Sequence, residues 1–254
     1  MKNIKPIIAS PFRKAYEIKR IIKSILKIFN LKVGKIPEHE KNKFIWLKEM
    51  NIKTIFDIGA NKGKLSEEIH KTLPYVYIYA FEPLESCYKE LVERMQNYER
   101  FKAFKIALGN FDGETNINMN EFLPSSSLLE IGEIHKKSFP LAQKSEIEKI
   151  TIRRLDRIVE EYQLPLENNV LVKIDVQGYE NKVIIGGKNI LSKAKVIITE
   201  TSFTELYKGQ PSFDEIYNLL KDMGFKYAGC IDILFNPQNG IPLQSDSVFI
   251  KENS

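Results

Sequence analysis

From residue 51 onward, short apolar runs alternate with stretches in which apolar side chains return every three or four positions, the pattern of strands joined by helices. Strands are predicted over 52–57, 75–81, 101–107, 114–119, 150–153, 169–175 and 195–200, and helices over 64–73, 86–95, 182–192 and 213–223. Residues 225–235 and 246–251 read as a terminal hairpin. The runs at 169–175 and 195–200 are apolar almost throughout, as parallel strands covered on both faces are. Strands alternating with helices imply right-handed crossovers and an α/β, doubly wound, Rossmann-like sheet with helices on both faces. One stretch breaks the rhythm: residues 120–148 are polar, serine-containing and weakly periodic, and are expected to form an insertion or flap.

The start of the chain follows another pattern. Ile18, Ile21, Ile22, Ile25, Leu26 and Phe29 fall on one face of a helix, with lysines and arginines opposite. Residues 1–36 carry ten Lys and Arg against Glu17 alone, a net +9, and the remaining residues sum to −4 of the chain's +5. The positive charge therefore belongs to an arm, and no basic groove for nucleic acid is expected in the body. Residues 1–50 are read as a basic helical extension and 51–254 as the domain that carries the chemistry. Two uses of the arm stay open: a helix packed on the domain or a second copy, or peripheral contact of residues 12–35 with an anionic membrane surface. Phe44, Trp46 and Leu47 read as a helix packing onto the sheet.

Composition narrows the setting. A chain of 254 residues, 43% hydrophobic, suits one large α/β domain with a sizeable core. Cys87 and Cys230 are the two cysteines, and neither has a metal-type partner nearby in sequence, which fits a reducing compartment. No run approaches the ~20 apolar residues that span a bilayer. The first residues also lack an apolar segment followed by a small-residue cleavage site. The expectation is a cytoplasmic protein, with the inner membrane surface as the place the arm would touch.

Candidate chemistry gathers where ligands bind in such sheets, at the carboxyl ends of the strands. Asp57, Glu82, Asp175 and Glu200 all stand at predicted strand ends, and the first is followed by Gly59-Ala-Asn61-Lys-Gly63. Glycines there let the backbone turn sharply and approach a ligand. A dinucleotide fold wants G-x-G-x-x-G for its pyrophosphate. This turn lacks that spacing, and a carboxylate two residues before the first glycine repels phosphate but suits the ammonium of a methionine moiety. Glu82 is placed to accept hydrogen bonds from ribose hydroxyls, a feature shared with nicotinamide enzymes.

Taken together, Asp57-Ile-Gly-Ala-Asn-Lys-Gly63, Phe81-Glu82-Pro83, Ala107-Leu108-Gly109, Leu171-Val-Lys-Ile-Asp175-Val-Gln-Gly-Tyr-Glu180 and Glu200-Thr-Ser-Phe-Thr-Glu-Leu-Tyr207 resemble the FkbM family of methyltransferases. Gly209-Gln210-Pro211 and Gln244-Ser-Asp246-Ser-Val-Phe249 extend the resemblance, which leaves the arm outside it. It implies a class I methyltransferase sheet in the order 3-2-1-4-5-7-6, mostly parallel with the last strand antiparallel. It also implies S-adenosyl-L-methionine as cofactor, S-adenosylhomocysteine as product, and transfer to a hydroxyl oxygen of a sugar, glycan component, natural product or lipid. On this basis Asp57, Gly59, Asn61 and Gly63 hold the methionine end, Glu82 with Pro83 the ribose, and Ala107, Leu108 and Asn110 the adenine. Gln177 departs from the acidic residue that many relatives carry, and Arg154 precedes Leu155 where Thr-Leu-Asp is common.

Methyl transfer from a sulfonium depends mainly on positioning, and a hydroxyl acceptor also needs its proton removed. Asp175 is the first candidate for that base, with holding the cofactor's amino group, or capping the next helix, as competing roles; Glu180 and Glu200 follow. Convergence of Asp175 and Glu200 would make room for a divalent ion, which Gln177 disfavours. His39, His70 and His135 form no ligand spacing. His70 is expected on a helix surface, and His135 as a solvated flap side chain whose alternative is a base near the acceptor. Ser125, Ser126 and Ser127 either touch cofactor or acceptor or make an ordinary loop. The rivals are a non-catalytic methyltransferase-like binding module and an NAD-dependent oxidoreductase.

Overall fold

A computed structural model describes residues 42–120, 126–139 and 145–252; the amphipathic arm, His39 and Ser125 lie outside the described residues. In chain order the elements are β1 (Thr54–Ile58), α1 (Lys64–Thr72), β2 (Tyr77–Phe81), α2 (Glu85–Met95), β3 (Phe101–Phe104), β4 (Ala107–Leu108), β5 (Gly113–Asn120), α3 (Glu133–Ser138), β6 (Ser145–Arg153), α4 (Leu155–Glu161), β7 (Val170–Ile174), α5 (Glu180–Gly186), α6 (Lys188–Leu191), β8 (Ala194–Ser202), α7 (Phe213–Asp222), β9 (Phe225–Phe235) and β10 (Pro242–Lys251). Seven strands form the main sheet in the order β3-β2-β1-β7-β8-β10-β9. All pairs are parallel except those of β10, which runs against both β8 and β9. Renumbered within that sheet, this is the 3-2-1-4-5-7-6 order of class I methyltransferases.

Period-two alternation along the buried strands divides the core. Phe56, Ile58, Val172, Ile174, Ile197 and Phe249 face α4 to α7, meeting Leu155, Ile158, Val183, Ile184, Ile216 and Leu220. Ile55, Leu171, Val196, Ile198 and Val248 face α1 and α2 and meet Ile69, Leu91 and Met95. Phe44 and Leu47, from a single 3-10 turn at Ile45–Lys48, complete that second layer. Trp46 is half-buried there, its indole nitrogen donating to the Lys43 carbonyl at 2.9 Å. In α7, Ser212 caps the N-terminus by accepting from the Glu215 amide, and Ile216 and Leu220 supply the buried stripe one turn apart.

Four expectations are corrected. The strand predicted over 101–107 divides: β3 stays in the main sheet, while β4 leaves it for a three-stranded sheet ordered β4-β6-β5. Exposed Lys105, paired with Glu85, stands at the change of sheet, and periodicity carries no signal for such a switch. The strand predicted over 150–153 begins at Ser145, because its polar first half pairs antiparallel with β5 from Asn120 to Gly113 and needs no apolar face. The helix predicted over 182–192 breaks into α5 and α6 at Gly187. Just before the break, a Cβ at Gly186 would stand 1.8 Å from the Gly109 carbonyl oxygen, so only glycine lets the helix touch that loop. The stretch read as an irregular flap contains α3, and α4 has no counterpart among the predicted helices.

Candidate active site

The loops at the carboxyl ends of β1, β2 and β7 line a partly open cleft. Its floor is the turn after β1. Gly59 has φ +78°, and a Cβ there would lie 1.8 Å from the Asp175 carbonyl oxygen, so the turn passes against the β7 loop only as glycine. Asn61, also left-handed at φ +49°, donates its amide to Glu82 Oε2 at 2.8 Å. The Leu84 amide donates to Glu82 Oε1 at 2.9 Å. Each carboxylate oxygen thus holds one backbone N–H and keeps a lone pair for a hydroxyl. Burial pushes the Glu82 carboxyl up to about 7 despite those two donors.

The cleft's apolar end is made by Leu84, Cys87, Ile106, Ala107, Leu108, Ile117 and Leu128. Gly59, Asn61, Glu82, Pro83, Ala107, Leu108 and Asp175 line one cavity. Asp57 and Gly63 do not. Asp57 is buried beneath the turn, where Ser66 Oγ donates to it at 2.5 Å, and burial raises its pKa to about 6. Gly63 starts α1 against Leu91, and Asn110 is exposed away from the lining. Ser126 lines the cleft, and Ser127 Oγ donates to the Gln177 carbonyl at 2.6 Å, so the flap serines touch the site.

Beside Asp175 lies a polar network on the α1 face of the sheet. Lys173, in the middle of β7, reaches Asp246 Oδ1 at 3.0 Å and Asp175 Oδ2 at 3.4 Å. Burial opposes the lysine's charge, but Asp175, Asp246 and Glu200 outweigh it and hold the ammonium above its ordinary range. Gln177 Nε2 donates to Asp175 Oδ1 at 2.8 Å and to both Glu200 oxygens at 3.2 Å. Its own Oε1 accepts from the Tyr207 hydroxyl at 2.7 Å. Asp175 and Glu200 do converge, bridged by an amide nitrogen. Burial, then the charges of Asp175 and Glu180, raises Glu200 well above the usual carboxylate range.

Glu180 is placed differently from the catalytic role expected of it. Its buried Oε1 accepts the Val176 and Gly178 amides, both at 3.1 Å, and does not line the cleft. That carboxyl staples the β7 loop, in which Gln177 sits at φ +55°. Of the two described histidines, His135 departs from expectation. His135 is buried on α3, its ring 5.3 Å from Phe139 and 5.0 Å from Tyr207, so it is neither solvated nor aimed at the cleft. His70 is half-buried against Tyr98, with ring centroids 4.0 Å apart. No group of three His, Cys, Asp or Glu side chains is arranged for a metal ion among the described residues. Lys173 is the functional residue that sequence reasoning passed over. A charge inside the otherwise apolar run Val170–Ile174 was its signal.

Comparison with known proteins follows the same residues. The model of the methyltransferase FkbM domain matches residues 57–227. The 2-O-methyltransferase NoeI of Sinorhizobium fredii is 30% identical over 172 residues, covering 65% of this chain and 70% of that protein. Among solved structures, a precorrin-6y C5,15-methyltransferase from Geobacter metallireducens is 12% identical with a TM-score of 0.41, covering 86% of this chain and 90% of that one. An rRNA methylase from Streptococcus thermophilus is 11% identical with a TM-score of 0.43, covering 87% and 99%. No described helix is long and apolar enough to cross a membrane. With a family match over two thirds of its length, on a sheet ordered as class I methyltransferases order theirs, the chain belongs to the FkbM methyltransferase family.

Proposed function

We propose that the protein transfers a methyl group from S-adenosyl-L-methionine to a hydroxyl oxygen of a sugar, a glycan precursor or a lipid-linked intermediate. The carrying observation is the cleft itself, where a glycine turn touches the Asp175 backbone and Glu82 keeps one lone pair per oxygen beyond its two amide bonds. Those residues fit the cofactor: Glu82 for the ribose diol, the apolar end at Ala107 and Leu108 for the adenine, and Asp175 for the amino group. When bound, S-adenosylmethionine supplies the electrophilic methyl. The relative named as a 2-O-methyltransferase supports oxygen as the acceptor atom.

Of the two carboxyls that converge, Asp175 lines the cleft, whereas burial and the charges of Asp175 and Glu180 raise Glu200 well above the usual carboxylate range. In this reading Asp175 meets the methionine ammonium and Glu200 takes the proton of the acceptor hydroxyl, with Gln177 holding both. Calorimetric titration of S-adenosylmethionine and S-adenosylhomocysteine into wild type and E82A, with NAD as control, tests the cofactor. Binding lost in E82A is expected; preference for NAD, or no binding by folded wild type, refutes the reading. Once an acceptor is found, E200Q is expected to lower kcat and remove the acid limb of its pH profile. D175N is expected to raise KM for the cofactor first, and the reverse pattern exchanges the two roles.

A further inference from the structure

An apolar projection stands at the same edge of the main sheet as the cleft. β10 runs antiparallel to β8 with Gln244 opposite Ser202 and Asp246 opposite Glu200. The turn between β9 and β10, residues 236–241, therefore lies at the carboxyl edge of the sheet, the edge that carries Asp175 and Glu200. Phe203 follows β8 at the same edge, its amide bonded to the Leu243 carbonyl at 2.9 Å. Phe203, Phe235 and Ile241 are 50%, 49% and 57% exposed, and Ile233 and Leu234 are exposed with them. Neighbouring strand residues point to opposite faces, so exposure of both Ile233 and Leu234 means that the end of β9 extends past both helical layers. In a chain that is 28% charged, residues 233–245 contain no charged side chain.

Contiguous exposed apolar residues beside a site mark a surface for another body. Charge indicates which body. Residues 1–36 sum to +9 and residues 37–42 to −1; the described body begins at Asn42, and Lys43 Nζ pairs with Asp232 Oδ2 at 3.4 Å, one residue before Ile233. An uncharged apolar loop in a chain whose first 36 residues sum to +9 matches the two attractions of an anionic bilayer, its hydrocarbon boundary and its surface potential. We propose that the β9–β10 turn is a membrane-docking loop that seats the cleft mouth on an anionic bilayer, so that the acceptor hydroxyl is presented from the lipid surface. The proposal rests on the methyl-transfer reading only for the identity of what the cleft receives.

The test labels the full-length chain with an environment-sensitive fluorophore. In a C230S background, with Cys87 buried in the fold, I241C places the label on the turn, and V92C places a control on α2, on the β3 side of the sheet. On adding phosphatidylcholine–phosphatidylglycerol vesicles, the label at 241 is expected to shift to the blue and brighten several-fold, and that at 92 to stay unchanged. The double variant F235S/I241S, which alters only exposed positions, is expected to pellet with vesicles roughly tenfold less well. Pelleting without a response at 241 leaves the arm as the whole anchor and overturns the proposal. A response that follows protein concentration without vesicles assigns the surface to a second copy instead, and unchanged pelleting of the double variant overturns it too. Calorimetry with S-adenosylhomocysteine on the same samples reads the cofactor site separately, so failure of docking and failure of the methyl-transfer reading are told apart.

Discussion

Replacing Glu82 by glutamine isolates the charge from the shape of the proposed ribose subsite. In the free protein burial holds this carboxyl at about 7. Two ribose hydroxyls donating to it would favour the ionised form, so its pKa falls on binding. The complex then holds fewer protons than the free protein, and affinity is lost as pH falls through about 7. Each further unit of pH below that value costs about tenfold, and the curve is flat above roughly pH 8. Near pH 7, binding is expected to release about half a proton, read by calorimetry in two buffers of different ionisation enthalpy. E82Q removes the titration. It also has one acceptor oxygen where the Asn61 and Leu84 amides, at 2.8 and 2.9 Å, each use a separate one. One N–H then faces an amide NH₂, which costs stability, and that nitrogen no longer accepts from a ribose hydroxyl, a loss of about 1–3 kcal/mol of binding, or roughly tenfold to a hundredfold in affinity at high pH. The assay is titration of S-adenosylhomocysteine between roughly pH 5.5 and 8.5. A flat wild-type profile refutes the reasoning, and a slope surviving in E82Q moves the titration to another group such as Asp57.

Glu180 tests the same physics in stability. Its carboxyl is raised from 4.5 to about 7, so the native state binds the proton more tightly and folding free energy falls as pH rises through that window. E180Q keeps an acceptor for the Val176 and Gly178 amides and is expected to flatten that dependence in urea titrations at several pH values. E180A strands both amides and is expected to lose about 2–5 kcal/mol; equal stability of the two variants would refute the staple. G59A combines left-handed strain with a collision against the Asp175 carbonyl, and a loss of about 2–4 kcal/mol is expected in the same titrations, with no loss refuting the close approach. K173M leaves Asp175, Asp246 and Glu200 without their buried cation. Because the two aspartates keep some solvent, about 2 kcal/mol is expected, larger at pH 8 than at roughly pH 5, and a variant as stable as wild type at both would remove Lys173 from the network.

The main sheet was legible because its strands are buried on both faces and its helices on one, so burial imprints period on sequence. The runs at β1, β7 and β8 and the stripe Ile216–Leu220 carry that imprint. The flap and the second sheet were less so. β6 starts in Ser-Glu-Ile-Glu-Lys, where Glu146, Ile147 and Lys149 are exposed, and its pairing with β5 follows from backbone hydrogen bonds that any polar residue can make. α3 is short, and its buried face is completed by Tyr207 and Leu206 from a distant loop.

The site divides along the same line. Backbone requirements speak through residue type, so Gly59 and the acids at the strand ends could be named from spacing alone. Roles among similar acids could not. Asp57, Glu180 and Glu200 are all carboxylates near the carboxyl edge, yet one bonds Ser66 beneath the turn, one staples a loop and one meets Asp175 through Gln177. The sequence by itself determined the sheet, its glycine turn after β1 and the family, because these depend on local periodicity and on residues that only certain backbones tolerate. The placement of Lys173 among Asp175, Asp246 and Glu200, and of an apolar turn beside them, was decided by tertiary structure alone, because register between strands far apart in the chain sets which side chains meet.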